Sequence, residues 1–549
     1  MAACHFTSMK LISKLIDFLY KKAFVIFLLA IILLAASLRI YQIDKMPPSL
    51  SWDEAAVGYN AWTIANYGRD EWGKIFPIVF KSFEDDKHPI HIYSTAISVK
   101  LLGLNEFSTR IPAAIFGVLN VILLFFTGKL LFNSKAIGLI AAFILAISPY
   151  NIHFSRFSHE LNFVIFFFLL GVVCFFQGLK NQKNLISVAF FSFGIDLLAY
   201  HSAKVVVPPL LILITILYFK ELMRVKKHFF IGVIIFFSFI FLIILNPALT
   251  GRARINQTSF GKDMIEKTEI YQKTQNEILG RAEITFNQYL SHFSKKYLFI
   301  SGDRNPRLSS QITGEFYLVD ALFLGVGFLA LLRKKSKVSI ILISWALLGP
   351  IPSSLVNEAP HASRAMFMTG SWHLISALGF FTILNILKNR YLQLTALVTG
   401  LSIYMFLLRD YSIGYFTEYS QKYAIEWQYG MKEIVEFAKN HPEYYLVYTT
   451  NVRSQPYIFY LYYLKTPVST LLNTIDYNDT KSRSYNLVFS FDRYRFDGWN
   501  PIESMPNKYI LYVVSPSEYS GLRHKAEFDV KKVIRYPNGT DAFFLVSAD

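Results

Sequence analysis

The sequence predicts a polytopic α-helical membrane protein with about eleven transmembrane helices, followed by a C-terminal α/β domain outside the cytoplasm. The chain has 549 residues, of which 53% are hydrophobic and only 17% are charged, whereas soluble domains carry about 25% charged residues. Uncharged runs such as 23–38 and 231–245 approach the roughly 20 apolar residues that a membrane span requires. The last part of the chain instead contains short apolar stretches separated by turns, which are typical of strands. These observations exclude a soluble globular, a disordered and a fibrous protein.

Eleven apolar segments are interpreted as membrane spans. The first is interpreted as a retained signal anchor, because it is too long for a cleaved signal peptide and lacks a small-residue cleavage site. A further apolar segment, 90–103, is short, contains His91 and Lys100, and follows a proline. The predicted spans are 22–42, 111–132, 136–151, 160–178, 185–201, 204–220, 228–245, 316–332, 338–356, 366–387 and 391–408.

The distribution of basic residues predicts which segments face the cytoplasm. With eleven spans and a cytoplasmic N-terminus, eighteen Lys and Arg residues lie in short inner segments, against only Arg156, Lys204 and Arg364 in the short outer loops. This asymmetry follows the positive-inside rule and predicts a multi-pass protein of the plasma membrane. A crossing by segment 90–103 would move every later loop to the other side, so we predict that this segment is an amphipathic helix on the outer surface.

The net charge of +17 does not indicate a nucleic-acid partner. The basic residues lie in short clusters between apolar runs, as in membrane proteins, and not along one face as in a nucleic-acid-binding domain. The two cysteines, Cys4 and Cys174, lie in the N-terminal tail and in an apolar run. They predict neither a disulfide framework nor a metal-thiolate site.

Three long segments are predicted to lie outside the cytoplasm. Segments 43–110 and 246–315 belong to a transmembrane domain, 1–408, and 409–549 forms a soluble α/β domain. In this second domain we predict helices near 417–440 and 455–464, and a hairpin turn at Pro537-Asn538-Gly539. The predicted strands are 444–450, 486–491, 509–515, 528–536 and 542–548.

The first outer segment contains two clusters of ionisable residues. In SWDEAAVGYNAW, Asp53 and Glu54 precede apolar and aromatic residues at helical spacing, so they open a helix along the membrane. Capping and the helix dipole explain most such acidic pairs, but carboxylates at a membrane surface are costly without a role. The second cluster, EDDKHP, contains Asp86, Lys87 and His88. Alone it is typical of a solvated loop, but it shares a segment with Asp53.

Other ionisable residues lie at the mouths of the predicted spans. Arg156 and Glu160 are four residues apart and are predicted to share one helix face. Each residue has an ordinary structural explanation, as a surface ion pair or an interfacial anchor, but all of them fall on the predicted outer face. The remaining candidates of this kind are His201, Lys204, Asp303, His361 and Arg364.

Cations and carboxylates gathered at a bilayer surface suit a lipid-linked phosphate as substrate. Arg and Lys bind phosphate, and a carboxylate can act as a general base. Catalytic candidates are Asp53, Glu54 and Asp86. The candidates for binding the phosphate are Lys87, Arg156, Lys204 and Arg364, and other residues expected at the site are His88, Glu160, His201, Asp303 and His361.

Several motifs resemble the GT-C fold glycosyltransferases. SWDEAAVGYNAW, EDDKHPI, NEFSTRIPAAIFG, SPYNIHFSR and PHASR are similar to the protein O-mannosyltransferase and lipid A aminoarabinose transferase group, glycosyltransferase families 39 and 83. The resemblance covers most of residues 20–410, and its most specific mark is the Asp-Glu pair after the first span. The family loop often reads Lys-Pro-Pro or His-Pro-Pro, whereas here Lys87 is followed by His88 and Pro89.

The resemblance implies an inverting transfer of a sugar from a polyprenyl-phosphate donor to a hydroxyl acceptor on the outer face of the membrane. It assigns the role of base to Asp53. The acceptor is a protein, a lipid or a glycan. A lipid monophosphate leaves readily, so no cofactor is strictly required, although the clustered acids could hold a divalent metal ion.

Two alternatives stay open at this point. A metal-dependent oligosaccharyltransferase has the same fold class but would require a larger peptide-binding domain with its own motif, which segment 409–549 does not show. A lipid or sugar transporter is less favoured, because transporters place polar groups near the bilayer midplane and often have repeated halves.

Overall fold

The computed structural model describes residues 22–83, 85–251, 258–478, 488–498 and 506–548. Every predicted span contains a helix, which confirms a polytopic helical protein. Among the described residues, six helices are long and apolar enough to cross a membrane, or seven if one bent pair is a single span, so eleven crossings stay a prediction. The helices are Lys22–Ile40, Glu106–Phe132, Lys135–Ile147 with Pro149–Ser155, Leu161–Lys180, Leu185–Asp196, His201–Leu217, Lys226–Leu245, Asp320–Lys334, Lys337–Leu348 with Ile351–Ser354, Met368–Ile386 and Arg390–Ile413.

Two of these helices are broken next to loops that carry candidate site residues. Helix Lys135–Ile147 ends at Ser148, and the following helix starts at Pro149 with a bend of 58°. Proline lacks the N–H that continues a helix and is favoured in a first turn. Helix Met368–Ile386 is interrupted at Gly370, whose φ is +97°. A β-carbon there would lie 2.8 Å from the ring of Trp345, so only glycine fits this left-handed position.

Segment 90–103 forms the helix Pro89–Leu102. Its 14 residues extend about 21 Å, less than the roughly 30 Å of a bilayer's hydrocarbon core. It packs against the helix Trp52–Tyr67, while Ile97 and Leu101 are exposed. The helix is therefore too short to cross, as the charge distribution predicts, and its position on the membrane surface stays a prediction.

The last predicted span continues past residue 408. Its helix runs to Ile413 and is followed by the π-helical turn Gly414–Glu418 and the short helix Tyr419–Tyr423. The second outer segment contains the helices Lys262–Glu266, Glu269–Thr274 and Glu277–Ser291.

The C-terminal part contains a mixed seven-stranded sheet. The central strand Leu446–Thr450 pairs in parallel with Tyr494–Asp497 on one side and Ile510–Val514 on the other, and the remaining pairs are antiparallel. Helices Met431–Asn440, Pro456–Leu464, Val468–Thr474 and Pro516–Ser520 complete this part. In spatial order the strands are Asp476–Tyr477, Val488–Phe491, Tyr494–Asp497, Leu446–Thr450, Ile510–Val514, Asp541–Ala548 and Phe528–Arg535.

Each of the five predicted strands has a counterpart among the described residues, which exclude the first two residues of 486–491, and the hairpin at Pro537-Asn538-Gly539 joins the last two strands. Gly539 has a φ of +84°, as such turns require. Asp476–Tyr477 and Tyr494–Asp497 were not predicted. Tyr494–Asp497 is only four residues long and has charged side chains at alternate positions, so its sequence signal is shorter than that of the predicted strands.

Contacts between distant segments show which loops share a side. Glu106 and Lys432 form an ion pair at 2.9 Å, and Thr109 and Tyr462 are hydrogen-bonded at 2.7 Å. The first outer segment and the C-terminal domain therefore lie on the same side. At the opposite ends of the helices, Lys337 donates to Glu221 at 2.8 Å, which joins two of the Lys-rich loops.

These contacts predict the result of labelling single cysteines with a membrane-impermeant thiol reagent. Cysteines introduced at the exposed positions Leu101 and Tyr509 should react from the extracytoplasmic side of intact cells. A cysteine at exposed Lys335 should react only after permeabilisation. Labelling at residue 101 from the cytoplasmic side alone would contradict the predicted orientation.

Candidate active site

A cavity of about 640 Å³ lies where the first outer segment, the turns at several helix ends and the C-terminal domain meet. Most of the candidates from the sequence line it, and the four that do not are Glu54, Arg156, Lys204 and Asp303. The candidates in its wall are Asp53, Asp86, Lys87, His88, Glu160, His201, His361 and Arg364.

Asp53 is held in the first turn of helix Trp52–Tyr67. Ser51 caps this helix by accepting a hydrogen bond from the backbone N–H of Glu54, and the Glu54 side chain accepts one from the N–H of Ser51. This reciprocal capping box fixes the first turn. The Asp53 side chain then projects into the cavity with 47% of its surface exposed.

Lys87 reaches Asp53 from a two-stranded hairpin. Strands Phe80–Ser82 and Asp85–Lys87 pair antiparallel, with Phe80 opposite Lys87. Pro89 then begins the next helix, and this places Lys87 and Asp86 in the cavity wall. The Lys87 ammonium donates to Asp53 Oδ1 at 2.7 Å, and only 9% of the Lys87 side chain is exposed.

This ion pair sets the protonation state of Asp53. Its enclosed position disfavours the charged carboxylate, but the charge of Lys87 and its hydrogen bond outweigh that effect and hold the pKa of Asp53 below its ordinary value. Asp53 is therefore ionised at neutral pH and able to accept a proton.

The interpretation of Glu54 as a catalytic residue is not supported by its position, because its carboxylate is fully buried behind the cavity. It accepts hydrogen bonds from the Arg110 guanidinium at 2.8 and 3.1 Å and from the N–H groups of Ser51 and Ser158. All its lone pairs are directed at structural partners, so Glu54 positions Asp53 and does not reach the cavity.

Arg156 also differs from the prediction. Its guanidinium is fully buried and donates to the backbone carbonyls of Leu38, Tyr41 and Met46. It stabilises the exit from the first helix and does not line the cavity. Arg156 and Glu160 do not share a helix face, since one helix ends at Ser155 and the next begins at Leu161.

Lys204 lies just behind the cavity wall. Its ammonium contacts His88 Nε2 at 2.8 Å and His201 Nδ1 at 3.2 Å, and it donates to the carbonyl of Leu249 at 2.6 Å. Burial, reinforced by the charge of Lys204, lowers the pKa of His88 well below its usual value. His88 is thus a neutral acceptor, and Lys204 lies behind the two histidines, His88 and His201, that face the cavity.

The turn at 357–364, which is far from Asp53 in the sequence, forms another part of the cavity wall. Arg364 donates to the carbonyl of Asn357 at 2.8 Å and lies 3.5 Å from the carboxylate of Glu358. Asp303 stays below the surface, where it accepts hydrogen bonds from the N–H groups of Ala362 and Asn305. Burial raises the pKa of Asp303 to about 6. Asp303 therefore shapes the turn that presents Arg364.

Several lining residues were not predicted. Arg307 lies over the ring of Trp52, with 4.4 Å from the guanidinium carbon to the ring centroid, a cation–π contact. The motif SGDRNPRLSS contains Arg307, but its spacing does not distinguish it from Arg304. His159 and the C-terminal residue Gln455 also line the cavity. Burial lowers the pKa of His159 to about 4.

Within the described ranges, no group of three or more His, Cys, Asp or Glu residues is arranged to hold a metal ion.

Residues 86–245 match the family of dolichyl-phosphate-mannose-protein mannosyltransferases. The match begins at Asp86 and covers less than a third of the chain. Two curated relatives from Bacillus subtilis (strain 168) are the proteins named "Putative mannosyltransferase YkcB", 28% identical over 182 residues, and "Putative mannosyltransferase YycA", 29% identical over 156 residues. These alignments cover 32% and 28% of this chain, and 24% and 22% of the relatives.

Solved structures match nearly the whole chain. ArnT from Cupriavidus metallidurans bound to undecaprenyl phosphate has a TM-score of 0.53 at 11% identity, covering 96% of this chain and 98% of that one. The Archaeoglobus fulgidus oligosaccharyltransferase tethered with an acceptor peptide has a TM-score of 0.51 at 15% identity, covering 95% of this chain and 74% of that one. The chain thus has the fold of the GT-C glycosyltransferases, and the resemblance predicted from its motifs is confirmed.

Proposed function

We propose that this chain is an inverting glycosyltransferase that moves a sugar from a polyprenyl-phosphate donor to a hydroxyl acceptor on the extracytoplasmic face of the membrane. The observation that carries the proposal is the pair of Asp53 and Lys87 in a large cavity whose walls also contain Arg307 and Arg364. One carboxylate and several cations at helix ends are the groups that this reaction requires.

Asp53 is the proposed base. The acceptor hydroxyl gives its proton to the Asp53 carboxylate as its oxygen attacks the anomeric carbon, and the bond to the lipid phosphate breaks on the opposite face of the sugar. Lys87 keeps Asp53 ionised and fixes its direction. Glu54 and its capping box hold the turn that carries Asp53.

The cations are proposed to bind the departing phosphate. Its negative charge increases as the glycosidic bond breaks, so a fixed cation stabilises the transition state more than the ground state. Arg364 and Lys87 keep this predicted role, and Arg307 replaces the inaccessible Arg156. Lys204 is assigned no contact with the phosphate, because it lies behind His88 and His201. No step is assigned to a metal ion or other cofactor, because a phosphate monoester already leaves readily.

The comparisons support a lipid-linked donor and leave the sugar and acceptor open. A neighbouring structure contains undecaprenyl phosphate, and the matched family acts with dolichyl-phosphate-mannose. We therefore propose a polyprenyl-phosphate sugar whose lipid tail lies in the bilayer.

The test is transfer from a radiolabelled polyprenyl-phosphate-mannose to acceptors in membranes of the native cells. We expect labelled product, with the anomeric configuration at the transferred carbon opposite to that of the donor. Product with the donor's configuration would contradict the inverting mechanism, and the absence of any product with a panel of sugars would contradict the proposed activity.

Arg364→Lys should weaken the use of donor. The planar guanidinium binds phosphate through two parallel N–H groups, which an ammonium cannot reproduce. Loss of a charge-assisted hydrogen bond costs about 1.5–3 kcal/mol. We therefore expect about a tenfold to hundredfold rise in the donor KM for Arg364→Ala and a smaller rise for Arg364→Lys.

Arg304→Lys is the matched control, because Arg304 is exposed and lies outside the cavity. Its donor curve should coincide with that of the wild type. If Arg364→Lys also coincides with the wild type, Arg364 only anchors its turn, where a lysine would serve equally well.

Lys87→Met should shift the acid limb of the pH profile. Burial raises the pKa of Asp53 and Lys87 lowers it more than Arg307 does, so that pKa rises when Lys87 is removed and only the weaker effect of Arg307 still opposes burial. The base works only when ionised, hence kcat/KM should begin to fall at a higher pH in Lys87→Met than in the wild type. Lys87→Arg keeps the charge and should leave the limb in place. An unshifted limb in Lys87→Met would show that Asp53 is not the titrating base.

A further inference from the structure

One buried polar side chain of the cavity has no role in the reaction proposed above. Gln455 belongs to the C-terminal domain, lines the cavity and is only 2% exposed. Neither its amide nitrogen nor its amide oxygen has a hydrogen-bond partner among the described residues. Buried amides are nearly always hydrogen-bonded, so this donor and acceptor pair is placed to meet a ligand.

The backbone at this position is also unusual. Ser454 and Gln455 have φ values of 58° and 49°, in the left-handed region that residues other than glycine, asparagine and aspartate rarely adopt. Strained pairs of this kind cluster at functional sites.

Neighbouring contacts hold this conformation in place. The helix Pro456–Leu464 begins directly after Gln455 and packs against the helix Trp52–Tyr67. Tyr457 meets the ring of Phe83, which lies in the loop of the hairpin that carries Lys87, at 6.0 Å. Gln455 is therefore fixed relative to the pair of Asp53 and Lys87.

We propose that Gln455 binds neutral hydroxyl groups of the substrate, an inference that rests on the proposed function. An amide presents one acceptor oxygen and two N–H donors. A sugar hydroxyl both donates and accepts, so adjacent hydroxyls of one ring satisfy both ends of the amide. A phosphate offers only acceptors and would leave the amide oxygen facing negative charge.

This assignment gives the C-terminal domain a part in recognition. The first outer segment supplies the base, and the basic side chains bind the phosphate. Gln455 would bind hydroxyl groups of either the donor sugar or a hydroxyl-bearing acceptor.

Gln455→Gly is the informative substitution. Glycine adopts the left-handed backbone without strain, so the variant removes the side-chain amide and does not strain the backbone at this position. Lys465→Gly is the matched control, because Lys465 ends the same helix with a φ of 54°, is exposed, and lies outside the cavity. Gln455→Asn also tolerates this backbone but draws the amide back by one methylene.

Binding is measured by intrinsic tryptophan fluorescence in the non-transferring Asp53→Asn background, with polyprenyl phosphate and polyprenyl-phosphate-mannose as the two probes. If Gln455 contacts the donor sugar, Gln455→Gly should bind the mannose-bearing lipid about threefold to tenfold more weakly, the usual range for a neutral hydrogen bond. Gln455→Asn should fall between, and affinity for the bare lipid phosphate should not change.

A second arm measures transfer to acceptors of native membranes with Asp53 intact. Unchanged binding of both lipids with slower transfer by Gln455→Gly would assign Gln455 to the acceptor's hydroxyls. Equal loss for both lipids, or binding and transfer equal to those of Lys465→Gly, would overturn the inference. Failure of the wild type to transfer any sugar would instead overturn the proposed function. The binding of the two lipids would still show whether Gln455 contacts the donor sugar.

Discussion

Asp53→Asn is expected to lower turnover by about 10²–10⁴-fold, the usual contribution of general base catalysis, while donor binding survives. Asparagine keeps the shape of the side chain and can still accept the hydrogen bond from Lys87, which spans 2.7 Å in the wild type. It cannot take a proton from the acceptor. Initial rates of sugar transfer and a fluorescence titration with the donor separate these two effects.

Asp44→Asn is the control for this substitution, because Asp44 is an exposed acid of the same outer segment outside the cavity. It should transfer sugar at the wild-type rate. Near-normal turnover in Asp53→Asn would remove Asp53 from the mechanism. Asp86, which lines the same cavity, would then be the carboxylate to substitute next.

The sequence could predict that Asp53, Lys87 and Arg364 lie on one side of the membrane, because each belongs to an outer segment whose orientation follows from the lysine clusters. Segments at the same end of a helical bundle can meet, although not every residue in them reaches the cavity, as Arg156 does not. The structure places all three residues in the walls of one cavity. The strands of the C-terminal domain could be predicted for a different reason, because their apolar residues and the turns between them are local signals.

Local spacing could not predict where a buried guanidinium points. Arg156 and Arg364 look alike in the sequence, each a single arginine in a short outer loop. Arg156 donates to backbone carbonyls beyond the end of the first helix, whereas Arg364 reaches the cavity. The difference depends on unpaired carbonyls more than a hundred residues away, which no motif around Arg156 encodes.

Gln455 was missed for a related reason. It is a neutral residue in the C-terminal domain, and its importance comes from tertiary packing that places it over the first outer segment. Trp52 and Arg307 likewise become partners only in three dimensions. Sequence motifs therefore predict the charged part of this site better than the part that would recognise a neutral substrate.

Substitution of Asp53 is expected to lower turnover, whereas substitution of the neighbouring acid Glu54 is expected to lower the stability of the fold. Both lie in the first turn of the same helix, and both are candidates for catalysis in the sequence. Asp53 is half-exposed in the cavity, whereas Glu54 and its partner Arg110 have no exposed side-chain surface. Because the Asp53–Lys87 pair is only partly buried, whereas the Glu54–Arg110 pair is fully buried, Asp53→Asn should destabilise the fold less than Glu54→Gln.

Glu54→Gln should instead destabilise the fold by about 3–5 kcal/mol, the usual cost of breaking a buried ion pair by removing one partner. Glutamine is isosteric and can still accept one hydrogen bond, but it leaves the Arg110 charge buried without a counter-charge. The carbonyls of Ile43 and Pro47, which also accept from Arg110, compensate only in part. Thermal unfolding of the detergent-solubilised protein, with Asp53→Asn alongside, measures the difference.

The double variant Glu54→Gln, Arg110→Gln separates an electrostatic role from a catalytic one. Replacing both members of a buried ion pair leaves no unpaired charge, so it should cost much less than the sum of the two single changes. A double variant that costs much less than this sum would indicate a structural role for Glu54. In that role Glu54 neutralises Arg110 and holds the capping box that fixes Asp53. If Glu54→Gln kept the wild-type melting temperature and lost transfer, Glu54 would take part in the chemistry and the assignment of the base to Asp53 alone would be wrong.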